Sequence, residues 1–75
     1  MNWQDYIEVR PEVALGKPIF KGTRLTVEFI LERLGDGATV DDLVQNYVGL
    51  KPEHVRAATA YAAAVLRRDE LIYSE

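Results

Sequence analysis

Lys17, Lys21 and Arg24 form the only cation cluster in this 75-residue sequence, and their types and spacing suggest binding chemistry. The stretch from 17 to 24 contains no acidic residue. A guanidinium pairs bidentately with a carboxylate, and an ammonium adds a point charge, so the cluster favours an acidic partner. We predict that Lys17, Lys21 and Arg24 bind a partner protein. In the alternative, Arg24 pairs with an acid of its own chain or of a second subunit.

A second candidate is a DNA contact at the start of a predicted third helix, which offers Lys51, His54 and Arg56. Arg56 has the reach to contact a phosphate or a guanine edge. Affinity for DNA grows with the number of phosphates neutralised, and this segment supplies few cations. DNA binding by these residues is therefore an alternative hypothesis, in which a homodimer would double the number of contacts.

Catalytic and metal-binding patterns are missing from the sequence. It has no cysteine, one histidine, and no nucleophile or phosphate-loop motif. His54 has no companions at metal-ligand spacing, so a position at the surface or near a helix cap is favoured over a ligand role. We expect no enzymatic activity, no cofactor and no bound metal.

The charge balance also argues against a dedicated nucleic-acid binder. The net charge is −3, from 9 basic and 12 acidic residues. Residues 26–50 hold one basic and five acidic side chains. Glu28, Glu32 and Asp36 follow at helical spacing on one predicted face. That face is either solvated or a docking stripe for a cationic segment, such as residues 17–24 of a second copy.

The elements that must position these side chains are an N-terminal arm and three helices. Residues 1–25 predict an arm with one or two short strands, in which Gly16, Pro18 and Gly22 shape the backbone. Thr26 is a predicted N-cap, followed by apolar residues at i, i+3, i+4 and i+7. Thr39 with Asp42 predicts a second helix start through a short form of the capping box.

The third predicted helix covers about residues 53–68, and residues 69–75 are predicted as a tail. The last two helices and their Gly49-containing turn predict a helix-turn-helix unit. The residues expected to pack within it are Val44, Val48, Leu50, Val55 and Ala58. The fold class is thus mostly α: a single domain with a three-helix, helix-turn-helix-like bundle at 26–68.

No segment is apolar over the ~20 residues needed to span a bilayer, and we expect a cytoplasmic protein. A chain of this length builds only a small core, and a short strand needs a partner for its backbone groups. We therefore expect a homodimer, with the arms pairing strand to strand or embracing the neighbouring subunit.

The segment GKPIFKGTRLTV at 16–27 resembles the signature of a bacterial and archaeal family named domain of unknown function 433. The resemblance covers roughly residues 5–66. Lys51 departs from it, because members commonly have Thr or Ser there, which accept the backbone N–H bonds of a helix start. The other matching features are Gly37, Asp41-Asp42-Leu43, Tyr47-Val48-Gly49-Leu50 and Pro52-Glu53.

The resemblance implies a homeodomain-like fold and an antitoxin-like role in a toxin–antitoxin system. Family members are often paired with a PIN-like ribonuclease toxin, whose clustered carboxylates hold metal ions. The resulting hypothesis is an interaction module that neutralises such a toxin, with Arg24 as its leading residue. It would also repress its own operon, binding DNA through the complex. The alternatives are a dimeric helix-turn-helix regulator and an adaptor dimer with neither role.

Overall fold

The computed structural model describes residues 1–73, with side chains to residue 68. It confirms a mostly helical chain with a strand-containing N-terminal arm. Short 3-10 turns lie at Trp3–Asp5 and Ala14–Gly16. The regular elements are β1 (Ile7–Glu8), β2 (Ile19–Phe20), α1 (Val27–Gly35), α2 (Val40–Asn46) and α3 (Pro52–Tyr73).

The first two helices begin at the threonines that the sequence predicts. Oγ1 of Thr26 accepts the backbone N–H of Phe29 at 3.1 Å. At α2, Oγ1 of Thr39 accepts the N–H of Asp42 at 3.1 Å, and Oδ2 of Asp42 accepts the N–H of Thr39 at 3.0 Å. These bonds satisfy amides that have no partner within the helix and complete the capping box.

The arm is an antiparallel ribbon that lies against the helices. Ile7 is opposite Phe20, and Glu8 is opposite Ile19. A single further bridge joins Ile19 to Thr26, so β2 runs between β1 and the start of α1. Between the strands the chain turns through left-handed backbone, and Leu15 at that turn is 95% exposed.

The core forms where the arm, α1 and α2 meet the first half of α3. Phe20 and Ile30 are fully buried at its centre. Trp3 packs edge-on against Tyr61 with ring centroids 4.8 Å apart, which ties the N-terminus to α3. The other core members are Ile7, Val27, Leu43, Leu50, Val55, Ala57 and Ala58.

Two sequence predictions are wrong. Helix α3 does not end near residue 68 but continues to Tyr73, so the predicted tail is helical through that residue, and only 74–75 lie outside the described residues. Val48 does not pack between α2 and α3; it is 99% exposed. The chain reverses at Gly49, with φ +89°, and this turn buries Leu50 in place of Val48.

None of the helices in the described residues has the length and apolarity that crossing a membrane requires.

Candidate functional site

Two turns that are distant in sequence meet at one end of the molecule. A β-carbon at Gly49 would lie 3.6 Å from Cγ2 of Thr23. The α2–α3 turn therefore lies close against the turn that follows β2. We call residues 21–24 and 47–51 together the turn surface. It combines two segments that the sequence suggested for different partners.

Thr23 fixes the first of these turns. Its hydroxyl donates to the carbonyl of Phe20 at 2.9 Å and accepts the N–H of Leu25 at 3.1 Å. Gly22 has φ +81°, a backbone conformation that glycine adopts without strain. The prediction that Gly22 serves the backbone is therefore confirmed. In this turn Lys21 and Arg24 lie on either side of Gly22 and Thr23.

His54 holds the second turn through a hydrogen bond from its buried side chain. The imidazole is 8% exposed, and its Nδ1 accepts the backbone N–H of Lys51 at 2.9 Å. Its ring lies edge-on to Phe20 and Tyr6, with centroids 5.4 and 5.9 Å away. Lys51 offers no side-chain acceptor, and His54 supplies the reciprocal half of a capping box in its place. The imidazole thus joins the arm to the start of α3.

Burial lowers the pKa of His54 below its ordinary value of 6.5. The ammonium of Lys51 lowers it further, whereas the carboxylate of Glu53 opposes the shift. A neutral imidazole agrees with the geometry, because Nδ1 can accept the hydrogen bond from Lys51 only when it carries no proton itself. His54 therefore belongs to a helix cap, one of the two positions expected for it. Its burial removes it from the set of residues that can contact DNA.

The exposed charges of the turn surface are all positive. Lys21, Arg24 and Lys51 are exposed, and none forms an ion pair with a side chain of residues 1–68. The turn surface itself contains no Asp or Glu. Val48 projects from the same surface with no covering contact. Two adjoining turns thus carry an exposed valine and three exposed cations, which suits a partner with an apolar recess and carboxylates.

The other predicted cations are already engaged within the chain. Nζ of Lys17 lies 3.2 Å from Oε1 of Glu28, so part of the acidic face of α1 is neutralised by the arm of the same chain. Nη2 of Arg56 lies 4.0 Å from Oε1 of Glu53, one turn away on α3. Lys17 and Arg56 stay exposed, yet each is weakened as an independent contact for an anion.

Phe29 and Arg33 lie on the side of α1 that is next to Tyr47. The ring of Phe29 packs edge-on against Tyr47 with centroids 5.5 Å apart. The guanidinium of Arg33 lies 5.4 Å above the Phe29 ring and 2.7 Å from Oδ2 of Asp36. Phe29 lies off the apolar stripe of α1 and packs on Tyr47 at the start of the α2–α3 turn.

A polar cleft of about 530 Å³ opens beside Arg24. Glu8, Arg10 and Glu12 contribute to its lining, and Arg10 pairs with Glu12 at 3.3 Å. This contact and a backbone hydrogen bond lower the pKa of Glu12. The two carboxylates make the cleft a poor site for an anion, although Arg24 also lines it. Within the part of the chain that the structure describes, no three His, Asp or Glu side chains group as metal ligands do.

The sequence did not reveal the turn surface, because nothing in a single chain links residues 21–24 to 47–51. Val48 is the member that sequence reasoning missed. The signal available was its position before Gly49 and Leu50: a tight turn can bury only one of the two flanking apolar residues, and the pattern does not say which.

Comparison with known proteins gives a family and a fold. The sequence profile of a family described as "Protein of unknown function (DUF433)" matches residues 7–62, which include the whole turn surface. The crystal structure of a DUF433 member protein from Anabaena variabilis ATCC 29413 is similar, with a TM-score of 0.78 and 26% sequence identity. The alignment covers 96% of this chain and 71% of that chain. No protein with a curated description matches.

Proposed function

We propose that this chain, which belongs to the DUF433 family, is a protein-interaction module of the antitoxin kind. Its turn surface binds acidic groups of a PIN-like ribonuclease and blocks the carboxylates that hold the metal ions of that enzyme. The observation that carries the proposal is the proximity of Thr23 to Gly49, which brings the turn of Lys21 and Arg24 next to the turn of Val48 and Lys51, all four of them exposed.

The physical argument rests on how protein interfaces are built. Burying a fully exposed valine on binding contributes about 1.5–3 kcal/mol, and the surrounding cations add charge complementarity. Such an apolar anchor with a charged rim is typical of protein interfaces, and phosphate binding does not need the anchor. Arg24 has the leading role because its planar fork can hold one carboxylate through two hydrogen bonds. Lys21 and Lys51 steer the approach.

The DNA-binding alternative is supported by Lys51 and Arg56, both exposed near the start of α3. Opposing it, Asp41 and Asp42 are exposed at the start of α2, where they would repel phosphates. Repression of its own operon would therefore depend on cations that a toxin partner adds. An adaptor dimer is the remaining alternative. In each case the protein acts in the cytoplasm.

The test is a pull-down with the tagged protein from native lysate, divided into nuclease-treated and untreated halves. We expect a small protein to stay bound after nuclease treatment and to have ribonuclease activity that the added wild-type chain inhibits. Arg24→Glu and Val48→Asp should each lose that inhibition while circular dichroism stays unchanged. The matched control is Arg67→Glu, an exposed cation of α3 far from the turn surface.

Two results would contradict the proposal. One is co-purified DNA that disappears with nuclease and depends on Arg56 but not on Arg24. The other is a ribonuclease that is inhibited equally by the wild type and by Arg24→Glu.

A further inference from the structure

The apolar seam of α3 continues beyond the body of the protein that covers it. The seam residues are separated by four and three positions in turn, the spacing that keeps side chains on one side of a helix. Its first members, His54 and Ala58, are buried, and Tyr61 is half-buried. Farther along, Val65 is 43% exposed, and Arg68 is also exposed. The neighbouring Leu66 is 59% exposed. The seam therefore continues into a part of α3 that the arm and the other helices leave exposed.

Two adjoining hollows mark the uncovered part of this seam. One, of about 350 Å³, is lined by Tyr61, Ala64, Val65 and Arg68 of α3, with Trp3 as its only contribution from another element. The second, of about 470 Å³, begins at the same tyrosine. It has an apolar floor and carries two carboxylates, and its lining is Pro18, Val27, Glu28, Leu31, Glu32 and Tyr61.

We infer that α3 of a second copy covers this seam, running antiparallel to the first. In an antiparallel pair centred between Ala64 and Val65, position 68 of one helix lies opposite position 61 of the other. Arg68 of each copy then enters the second hollow of its neighbour, beside Tyr61, Glu28 and Glu32. The same contact occurs twice about a two-fold axis, which gives a closed dimer.

Charge complementarity selects a second copy as the occupant. Glu32 is exposed and has no ion pair among the side chains of residues 1–68. Glu28 shares its charge only with the exposed Lys17. The segment that fits needs an apolar residue followed by a cation one turn later, and Val65 with Arg68 provides both. The guanidinium can also lie over the ring of Tyr61.

The small side chains along α3 favour a close helix pair. Ala64 lines the first hollow beside Val65, and alanine lets two helices approach without a long side chain between them. Each Val65 is then removed from water by its counterpart. The sequence predicts a homodimer in which the arms pair strand to strand or embrace the neighbouring subunit, and a dimer through α3 is a different arrangement of two copies.

This interface is separate from the turn surface. Residues 64–68 also lie beyond the segment that matches the family profile, which ends at residue 62. The dimer therefore does not depend on the proposed antitoxin role, and either can fail without the other.

The test is sedimentation equilibrium over a wide range of protein concentration. The wild-type chain should approach twice its monomer mass of 8.5 kDa. Arg68→Glu and Glu32→Arg should each raise the dimer dissociation constant at least about tenfold, because each sets like charges together across the interface. Combining the two reversals should restore most of the affinity. Arg67→Glu, which makes the same charge change on the far side of α3 from the seam, is the matched control and should leave the constant unchanged.

The inference is overturned if the wild type remains monomeric at millimolar concentration. It is also overturned if a dimer forms that Arg68→Glu does not weaken, or if Arg67→Glu weakens it as much as Arg68→Glu. Lost affinity in both single variants without recovery in the double variant would likewise contradict the pairing. Circular dichroism of every variant checks that the monomer is folded.

Discussion

In the first half of α3, residues 52–61, the seam side chains His54 and Ala58 are buried against the arm and the other helices. In residues 62–68 the same seam continues through Val65 and Arg68, and both are exposed. The spacing of the seam positions does not change between the halves. What changes is how far other elements of the chain cover the helix: the core buries the first half, whereas Trp3 only lines a hollow beside the second.

The difference teaches what amphipathic spacing can and cannot tell. The spacing predicts that a face of the helix will be covered, but not by what. The first half of α3 positions the turn surface, because His54 holds Lys51 and packs on Phe20. The second half is free for association. Five predictions test this division.

The largest effect is expected at Ala58, a fully buried seam position in the first half. Ala58→Asp places an unpaired charge in the core and should cost about 4 kcal/mol or more, which is enough to unfold a small domain. Circular dichroism and urea titration measure this. An Ala58→Asp variant that is folded and unfolds cooperatively would contradict the claim that the core covers the first half of α3.

His54→Ala should lower the free energy of unfolding by about 2–3 kcal/mol. It leaves the N–H of Lys51 without an acceptor and removes the ring from its contacts with Phe20 and Tyr6. Thr59→Ala, on the exposed side of the same half, is the control and should change stability by less than about 0.5 kcal/mol. Equal losses of unfolding free energy in the two variants would contradict the role of His54 at the start of α3.

The first half of α3 should also make stability depend on pH. The pKa of His54 is lowered in the folded protein, so the unfolded chain binds the proton more readily. Its contribution is fully present above the ordinary pKa of 6.5 and is lost as pH falls toward the folded pKa. Urea titrations across this range should show the loss in the wild type. A variant without His54 that keeps the same profile would contradict the assignment.

Lys51→Ser should have opposite effects on stability and binding. Serine adds the side-chain acceptor that Lys51 lacks at the start of α3, so the unfolding free energy should rise by about 1 kcal/mol. Removing a cation from the turn surface should weaken binding to an acidic partner. Thermal unfolding and the ribonuclease inhibition assay measure the two. A less stable variant would show that Lys51 makes a favourable contact elsewhere.

The smallest effect is expected at Val65. Val65→Asp, at a concentration where the chain is monomeric, should change the free energy of unfolding by less than about 0.5 kcal/mol, since the side chain borders solvent there. The same replacement type is therefore disruptive at Ala58 and tolerated at Val65. A large loss of monomer stability at Val65 would mean that the two halves do not differ.

Much of the fold could be predicted from the sequence because its signals are local. Thr26 and Thr39 cap their helices as expected, and the capping box with Asp42 forms. A threonine before an apolar-periodic run needs only its own neighbours to act. The end of α3 could not be predicted in the same way, since no glycine or proline marks a stop after residue 68.

The candidate site was predictable only in parts. Lys21, Arg24 and Lys51 were recognised as cations with binding potential, but their meeting depends on the tertiary contact between Thr23 and Gly49. His54 was expected near a cap, and its Nδ1 accepts the backbone N–H of Lys51 from three positions along the helix. Non-local contacts of this kind leave no periodic trace in one sequence.

Hydrogen–deuterium exchange along α3, measured at low and at high protein concentration, tests the contrast between the two halves most directly. The amides of residues 55–61 should be strongly protected at both concentrations, because the core covers them. Those of residues 62–68 should exchange fast in dilute protein and become protected as concentration rises. Protection of both halves in dilute protein, or fast exchange of residues 62–68 at every concentration, would contradict the account.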